Sequence, residues 1–425
     1  MNHPDSLHGW LDLLEKRVGA PIRLGLERIA AVRAAMDAES DALIITVGGT
    51  NGKGSTCAML EAILIAAGYR VGCYTSPHLL RYNERVRIDG REVDDAVLVA
   101  AFSAVERARG DTPLTYFEQG TLATWYAFCR QPLDVMILEV GLGGRLDAVN
   151  VFDADCAIVT GVAMDHMDFL GETREDIAFE KAGIFRSGRP AICSDPLAPK
   201  SLVAHARDIG ADLKLVGEDF GFSGDRTQWV WWHRNGARRG GLAYPALRGA
   251  NQLLNAAAVL MALDCLRHRL PVSMQAVREG MLLVDLPGRF QVLPGRPAVV
   301  LDVAHNPQAA GVLSDNLSNM GYFPETWAVL GMLADKDVEG VFRLIRDRVD
   351  HWLLTGLPGP RGLTAQALSE HLRAAGLTGD VHCFERPADA FEAAQKSARD
   401  DDRIVVFGSF LTVAEVLAAV RAARR

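Results

Sequence analysis

The sequence predicts an α/β protein whose main domain carries a doubly wound, mostly parallel sheet. Three observations carry this expectation. Short apolar runs rich in β-branched residues alternate with segments of helical period, the signature of βα units. One such run, "LIITV" at 43–47, opens into the glycine-rich turn "GGTNGKGS" and then into a helix. After a turn-rich junction, "VDLPGRF" at 284–290, a second βα series begins, so a smaller Rossmann-like α/β domain is expected at the C-terminus.

The elements follow in order. Strand character recurs at 43–47, 71–75, 134–140, 156–160 and 190–193, and helix-period segments at 54–67, 117–130 and 173–183 lie between. From about 211 to 244 the pattern changes to short aromatic and polar pieces, "GFSGDRTQWVWWHRNGARRGG" among them, expected as antiparallel strands inserted at the edge of the first domain. Two helices, 250–268 and 273–284, lead to the junction. The second series places strands at 298–303, 326–331, 351–355 and 403–407. These elements set a boundary near 285–290, with an expected first domain at 1–287 and a second α/β domain at 288–425.

Composition narrows the partners. With 425 residues, 49% hydrophobic and 23% charged, the chain can bury a sizeable core. A net charge of -8 with no Lys/Arg-dense arm disfavours a phosphate-backbone surface, so no nucleic-acid partner is expected. Seven cysteines at 57, 73, 129, 156, 193, 265 and 383, with no Cys-x-x-Cys pair, fit a reducing cytoplasm. No apolar run approaches the ~18 residues of a membrane span, and the first residues lack a basic region followed by an apolar core; neither export nor a membrane partner is expected.

The turn after 43–47 carries chemistry. Backbone N–H groups of a glycine-rich loop and the helix that follows form a concave donor site for phosphate oxygens, and a lysine adds a point charge at the β/γ position. Gly48, Gly49, Gly52, Lys53 and Gly54 supply those parts, which makes the first domain P-loop ATPase-type. The usual pattern puts a hydroxyl directly after the lysine, whereas here Gly54 precedes Ser55, so the magnesium ligand is expected from elsewhere. Glu139 closes the 134–140 strand at its carboxyl end, where ligands sit in open parallel sheets; an ordinary strand-end carboxylate is the alternative. A third cluster, "MDHMDFLGETREDIAFEKAGIF", holds His166 and Lys181, which read equally as a hydrogen-bonded histidine and a snorkelling helix lysine. Asp168 to Gly171 has the Asp-x-x-Gly form of GTP switches, but no Asn-Lys-x-Asp segment follows.

Taken together, "GTNGKGS", "TSPHLLRYNERVRI", "LTYFEQGT", "LEVGLGGRLDAVN", "DHMDFLGETREDIAFEKAGIFR", "LPGRFQ", "LDVAHNP" and "FGSFLTVAEVL" resemble the bacterial folylpolyglutamate synthase/dihydrofolate synthase family of the Mur-ligase-like superfamily. The resemblance implies an ADP-forming ligase: ATP phosphorylates a carboxylate, and the amine of L-glutamate attacks the acyl phosphate. It also implies roles by motif. Thr50, Asn51, Gly52, Lys53, Gly54 and Ser55 would hold ATP; Ser76, Glu139, His166 and Lys181 as a carbamate would hold magnesium, two ions in all; Lys53, Lys181 and His166 would serve catalysis. Asn255, Arg289 and Asp302 match nucleotide-contacting positions, and His305 reads either as acting beside them or as a turn residue, so ATP is expected to bridge the domains. A monovalent cation joins the cofactors under consideration, and a bilobed monomer is the simplest expectation.

The acid substrate falls to other segments. In the resemblance, "TYFE" (Thr115, Tyr116, Phe117, Glu118) and "LDA" (Leu146, Asp147, Ala148) carry the pterin side, with "LGLERI" at 24–29 close by. Phe117 would stack on a pterin face and Asp147 would accept N–H donors of an aminopyrimidine; core packing is the other reading of Phe117. Both segments together match the bifunctional form, with dihydropteroate, folates and L-glutamate as partners. Two rivals stay open: a Mur ligase acting on a nucleotide-linked muramoyl acid, and a non-catalytic ATP-binding regulator.

Overall fold

The first sheet grows outward from a strand whose six residues are all buried, β1 (Leu43–Gly48). With β2 (Val71–Tyr74), β3 (Val86–Ile88), β4 (Arg91–Glu92), β5 (Val135–Glu139), β6 (Cys156–Val159), β7 (Pro190–Cys193) and β8 (Asp212–Leu215) it forms eight strands in the order β4-β3-β2-β5-β1-β6-β7-β8. From β2 to β8 the pairing is parallel, and only the β2–β3 and β3–β4 pairings at one edge are antiparallel. Continuous apolar strands need cover on both faces, and the crossover helices supply it. The structure is a computed structural model and describes residues 4–17, 23–225, 228–249 and 251–423.

One expectation for 211–244 is corrected: the first piece, β8, pairs in parallel with β7, because the helix Lys200–Asp208 returns the chain to the same end of the sheet. The antiparallel part comprises β9 (Phe220–Gly224), β10 (Trp229–His233) and β11 (Arg238–Leu242), in the order β11-β10-β9. Alternation buries Trp229 and Trp231 on one face of β10. Trp231 Nε1 donates to the Ala257 carbonyl at 3.2 Å, pinning this sheet to the helix Asn251–Cys265. The expected start of that helix at residue 250 lies outside the described residues.

The second sheet holds β12 (Gln291–Leu293), β13 (Ala298–Leu301), β14 (Thr326–Leu330), β15 (His351–Thr355), β16 (Asp380–Phe384) and β17 (Arg403–Phe407). Their order is β12-β13-β17-β14-β15-β16, parallel except for β12. Sequence periodicity misses β12 and β16, both edge strands: β16 reads Asp-Val-His-Cys-Phe and has no fully buried residue. The chain divides into two compact units, Met1–Ala246 with Leu253–Val284, and Leu247–Gln252 with Asp285–Arg425.

Each unit has its own core. In the first, Trp10, Phe102, Trp125, Phe128 and Phe152 are buried on the β2 and β5 side, and Trp125 stacks on Phe152 with centroids 4.2 Å apart. Burial of such rings contributes about 2–3 kcal/mol each. Among the described residues no helix is long and apolar enough to cross a membrane.

Candidate active site

Four neighbouring strands end at one edge of the first sheet, and each delivers a segment there. In the order β2-β5-β1-β6 their carboxyl ends carry Ser76, Glu139, the loop Gly49–Gly52 and Thr160–His166. Crevices outside the carboxyl ends of parallel strands are where ligands bind in doubly wound folds.

The loop after β1 is shaped by its glycines. Gly49 has φ +140°, and a Cβ there would stand 1.8 Å from Thr160 Oγ1; Gly52, at φ +96°, comes so close to the helix Asn251–Cys265 that a Cβ would lie 2.6 Å from Asn255 Oδ1. Thr160 Oγ1 in turn donates to the Asn51 carbonyl at 2.8 Å, and Thr50 N donates to the Gly161 carbonyl at 2.8 Å. Thr50 Oγ1 accepts from Ala163 N at 3.0 Å. The loop is thus held rigid from β6, and Asn255 packs against it.

Lys53 starts the helix Lys53–Ala66. Its Nζ donates to the carbonyls of Gly49 at 3.0 Å and Thr50 at 3.2 Å, which uses two of three N–H donors and lays the ammonium across the loop. Gly54 and Ser55 are buried in the first helical turn. A 14-residue helix starting at a glycine-rich loop puts a positive partial charge and backbone donors beside that ammonium.

Glu139 is 3% exposed and its Oε2 accepts from the Ser76 backbone N–H at 2.9 Å, so the ends of β2 and β5 are joined through this carboxylate. His166 sits at φ +53° just before the short helix Met167–Leu170, and its N–H donates to Asp165 Oδ1 at 2.9 Å. Lys181, on the helix Arg174–Ala182, is 4% exposed. Burial and then the Lys53 ammonium pull its amine down to about 7, against the pull of Asp165 and Asp147. Asp147 is pushed up to about 6 by burial, opposed by backbone N–H groups and Lys53. Lys53, Lys181, Asp147 and Asp165 therefore share one electrostatic neighbourhood.

The expected pterin segments gather beside it. Thr115 caps the helix Tyr116–Cys129, accepting from Glu118 N at 3.2 Å while Glu118 Oε2 accepts from Thr115 N at 2.7 Å, a capping box. Glu118 Oε1 takes Arg28 Nη2 at 3.0 Å, which ties "LGLERI" to "TYFE"; Gly25 N donates to Leu146 O at 3.3 Å, which ties it to "LDA". Phe117 stacks with Tyr74 at 6.1 Å and lies so close to Gly141 that a Cβ there would be 2.5 Å from its ring. Asp147 accepts from Leu142 N at 2.8 Å and Val149 N at 3.0 Å, and Ala148 is buried behind it. Glu118 and Asp147 are thus engaged in building the loops that hold their neighbours. Tyr116 packs edge-on against Tyr82.

In the second unit, Asp302 follows β13 and its two oxygens accept from Phe290 N and Ala304 N, both at 2.8 Å. Arg289 lies 5.0 Å over the ring of Phe410, which begins the helix after β17. His305 Nδ1 donates to the Val303 carbonyl at 2.8 Å, and its ring lies 6.2 Å from Phe410. Burial raises the Asp302 carboxyl, with Arg289 opposing.

Sequence reasoning singled out neither Thr160 nor, within "LGLERI" and "FGSFLTVAEVL", Arg28 and Phe410. Thr160 and Phe410 had a usable signal, since each closes or follows an apolar strand run; the partner of Arg28 had none. Among the described residues no three His, Cys, Asp or Glu side chains gather into a ready cation cage.

A phosphate-type loop on a doubly wound sheet followed by a second α/β unit, together with the two family models that these units match, places the chain in the class of Mur-type ligases. Residues 47–195 match the Mur ligase middle domain and residues 288–410 the Mur ligase glutamate ligase domain. The dihydrofolate synthase/folylpolyglutamate synthase of Escherichia coli (strain K12) is 45% identical over 98% of this chain and 96% of its own. The solved structure of E. coli FolC in complex with DHPP and ADP superposes with a TM-score of 0.94 at 44% identity, covering 100% of both chains. A bifunctional folylpolyglutamate synthase/dihydrofolate synthase with Mn, AMPPNP and L-glutamate bound gives 0.91 at 44% identity, covering 99% of this chain and 100% of that one. The chain belongs to the dihydrofolate synthase/folylpolyglutamate synthase family.

Proposed function

We propose that this protein is an ATP-dependent ligase that joins L-glutamate to dihydropteroate, forming dihydrofolate, and to folate polyglutamate chains, releasing ADP and phosphate. The observation that carries it is the convergence, at one sheet edge, of the Lys53 loop with the buried Lys181 and the pterin-side segments around Asp147. Relatives of the same family bind DHPP, ADP, AMPPNP, Mn and L-glutamate.

The chemistry explains the parts. A carboxylate is a poor electrophile, being negatively charged and without an adequate leaving group. Its oxygen attacks the γ-phosphorus, the bond to the β-phosphate oxygen breaks, and ADP leaves. The glutamate nitrogen then attacks the acyl carbon, loses a proton, and phosphate departs as the amide forms. The first step needs positioning and charge neutralisation more than covalent help. Thr50, Asn51, Gly52, Lys53, Gly54 and Ser55 hold the phosphates, Asn255 braces the loop, and Arg289, Asp302 and His305 contribute nucleotide contacts. Phe117 and the Leu146–Ala148 turn face the pterin.

ATP and a divalent metal ion are the cofactors. The donor set suits magnesium: an oxygen-rich site with one buried carboxylate, Glu139, and the Ser76 hydroxyl fits an ion that keeps waters and takes phosphate oxygens as ligands. When bound, the ion supplies neutralisation of phosphate charge. His166 and Lys181 complete the set, Lys181 as a carbamate. An amine drawn down to about 7 is substantially neutral at physiological pH, the form that adds carbon dioxide with loss of one proton. The resulting anion can face a cation where an ammonium would repel it. Free thiols at all seven cysteines fit a reducing, cytoplasmic setting.

The test is ADP release measured with ATP and magnesium while dihydropteroate and L-glutamate are omitted in turn. Strict dependence on both is expected; release without dihydropteroate, or with a muramoyl acid in its place, overturns the assignment.

A further inference from the structure

Arg85 stands out among the arginines of the segment after β2. Arg81 pairs with Asp95 at 3.3 Å and Arg87 with Glu61 at 2.8 Å, but among the described residues no carboxylate lies within ion-pair distance of Arg85. The side chain is nonetheless fixed. Its Nε donates to His78 Nδ1 at 2.9 Å, and because arginine is only a donor, His78 must present a lone pair there and carry its proton on Nε2. The guanidinium lies 5.1 Å from the Tyr82 ring centroid and 5.7 Å from that of Tyr116.

Both rings are themselves packed in place. They meet edge-on at 6.1 Å, Tyr82 packs on Phe102 at 5.7 Å, and its hydroxyl approaches the helix Tyr116–Cys129 so closely that a Cβ on Gly120 would be 2.4 Å away. The backbone is pinned as well, since the Arg85 carbonyl accepts from Thr75 N at 2.9 Å. A half-buried cation is thus aimed by an imidazole and two rings, and among the described residues the four N–H donors of Nη1 and Nη2 are left for a ligand. Partial desolvation of a charge without a counter-ion is costly, and a ligand anion relieves it. The site lies between the Ser76 loop, where His78 follows two residues on, and "TYFE", to which Tyr116 belongs.

We propose that Arg85, oriented by His78 over the Tyr116 ring, binds the non-reacting carboxylate of a glutamyl residue already attached to the folate-type acid. This deepens the ligase assignment above and rests on it. The reacting carboxylate is a poorer candidate, because a guanidinium pair engages the oxygens that must attack phosphorus. Dihydropteroate has a single carboxyl, the reacting one, whereas a glutamyl tail has two, one of which stays a spectator. Arg85 is thereby a specificity residue that separates chain extension from the first glutamylation.

The experiment compares KM for tetrahydrofolate carrying one glutamate with KM for dihydropteroate in wild type, Arg85→Gln and Arg85→Lys. The ratio of the two is expected to rise about tenfold or more in Arg85→Gln and to recover partly in Arg85→Lys. Equal changes in both constants, or no change in either, overturn the proposal. Should Arg85→Gln fail to fold, wild-type enzyme is given tetrahydrofolate amidated at the non-reacting carboxyl. A KM raised about tenfold supports the subsite, and an unchanged KM rejects it. Absence of ADP release by wild type with both acids would instead sink the ligase assignment itself.

Discussion

Arg87 and Glu61 form a largely buried ion pair, Nη2 to Oε2 at 2.8 Å with Nε at 3.0 Å from the same oxygen, that joins β3 to the helix begun by Lys53. The same guanidinium donates to Thr75 Oγ1 at 3.1 Å and to the Glu84 carbonyl at 2.9 Å. Glu84 in turn accepts from Leu79 N and Leu80 N at 2.7 Å. The stretch around Ser76 is therefore tied to the helix Lys53–Ala66 through one arginine. Replacing Arg87 by Met strands the Glu61 carboxylate and should cost about 3–5 kcal/mol in urea unfolding. The double variant Arg87→Met with Glu61→Leu should recover most of that loss; a double variant as unstable as the single one would contradict the pairing.

Gly49→Ala tests the loop. Its Cβ would collide with Thr160 Oγ1, and the φ of +140° is itself hostile to alanine. ATP affinity measured by calorimetry should fall at least tenfold with the fold retained by circular dichroism. Wild-type affinity would show that the loop does not hold phosphate.

Lys181→Ala should abolish turnover. Small carboxylic acids added to that variant should restore part of it, by supplying the missing anion at the buried position. Full activity of the variant without any additive would reject the carbamate.

Acid stability should track Glu106. Burial pushes its carboxyl up, but Arg109 and Arg17 outweigh this and hold it at about 2. A carboxyl with a depressed native pKa contributes stability that is complete above its unfolded value of ~4.3 and is lost as pH falls through the native value. Wild type should therefore lose stability between about pH 4.3 and 2 more steeply than Glu106→Gln, with the gap widest above pH 4.3, as thermal melts in a pH series would report. Parallel curves would remove Glu106 from the balance.

Much of the fold was legible because buried parallel strands are apolar along their whole length. β1, β5 and β6 announce themselves in the sequence, as do the β13, β14, β15 and β17 runs of the second unit. Edge strands lose that signal: β3, β4, β12 and β16 are short or carry exposed polar residues. The direction of β8 was illegible for another reason, since a four-residue strand pairs either way and only the preceding crossover decides. At the site, the glycines were readable because a strand-to-helix turn with positive φ and close backbone approach demands small residues at set places. The meetings of Arg28 with Glu118, of Thr160 with Asn51 and of Asn255 with Gly52 were not.

The sequence by itself determined the class of fold and the order of its buried strands, because apolar periodicity and backbone conformational demands are written locally. Only the tertiary structure decided the burial that lowers the Lys181 amine, the engagement of Asp147 by its own loop, and the seating of the Arg85 guanidinium on His78. Those properties arise from groups distant in the chain brought within a few ångströms, where desolvation and Coulomb interaction act across space, whatever the separation in sequence.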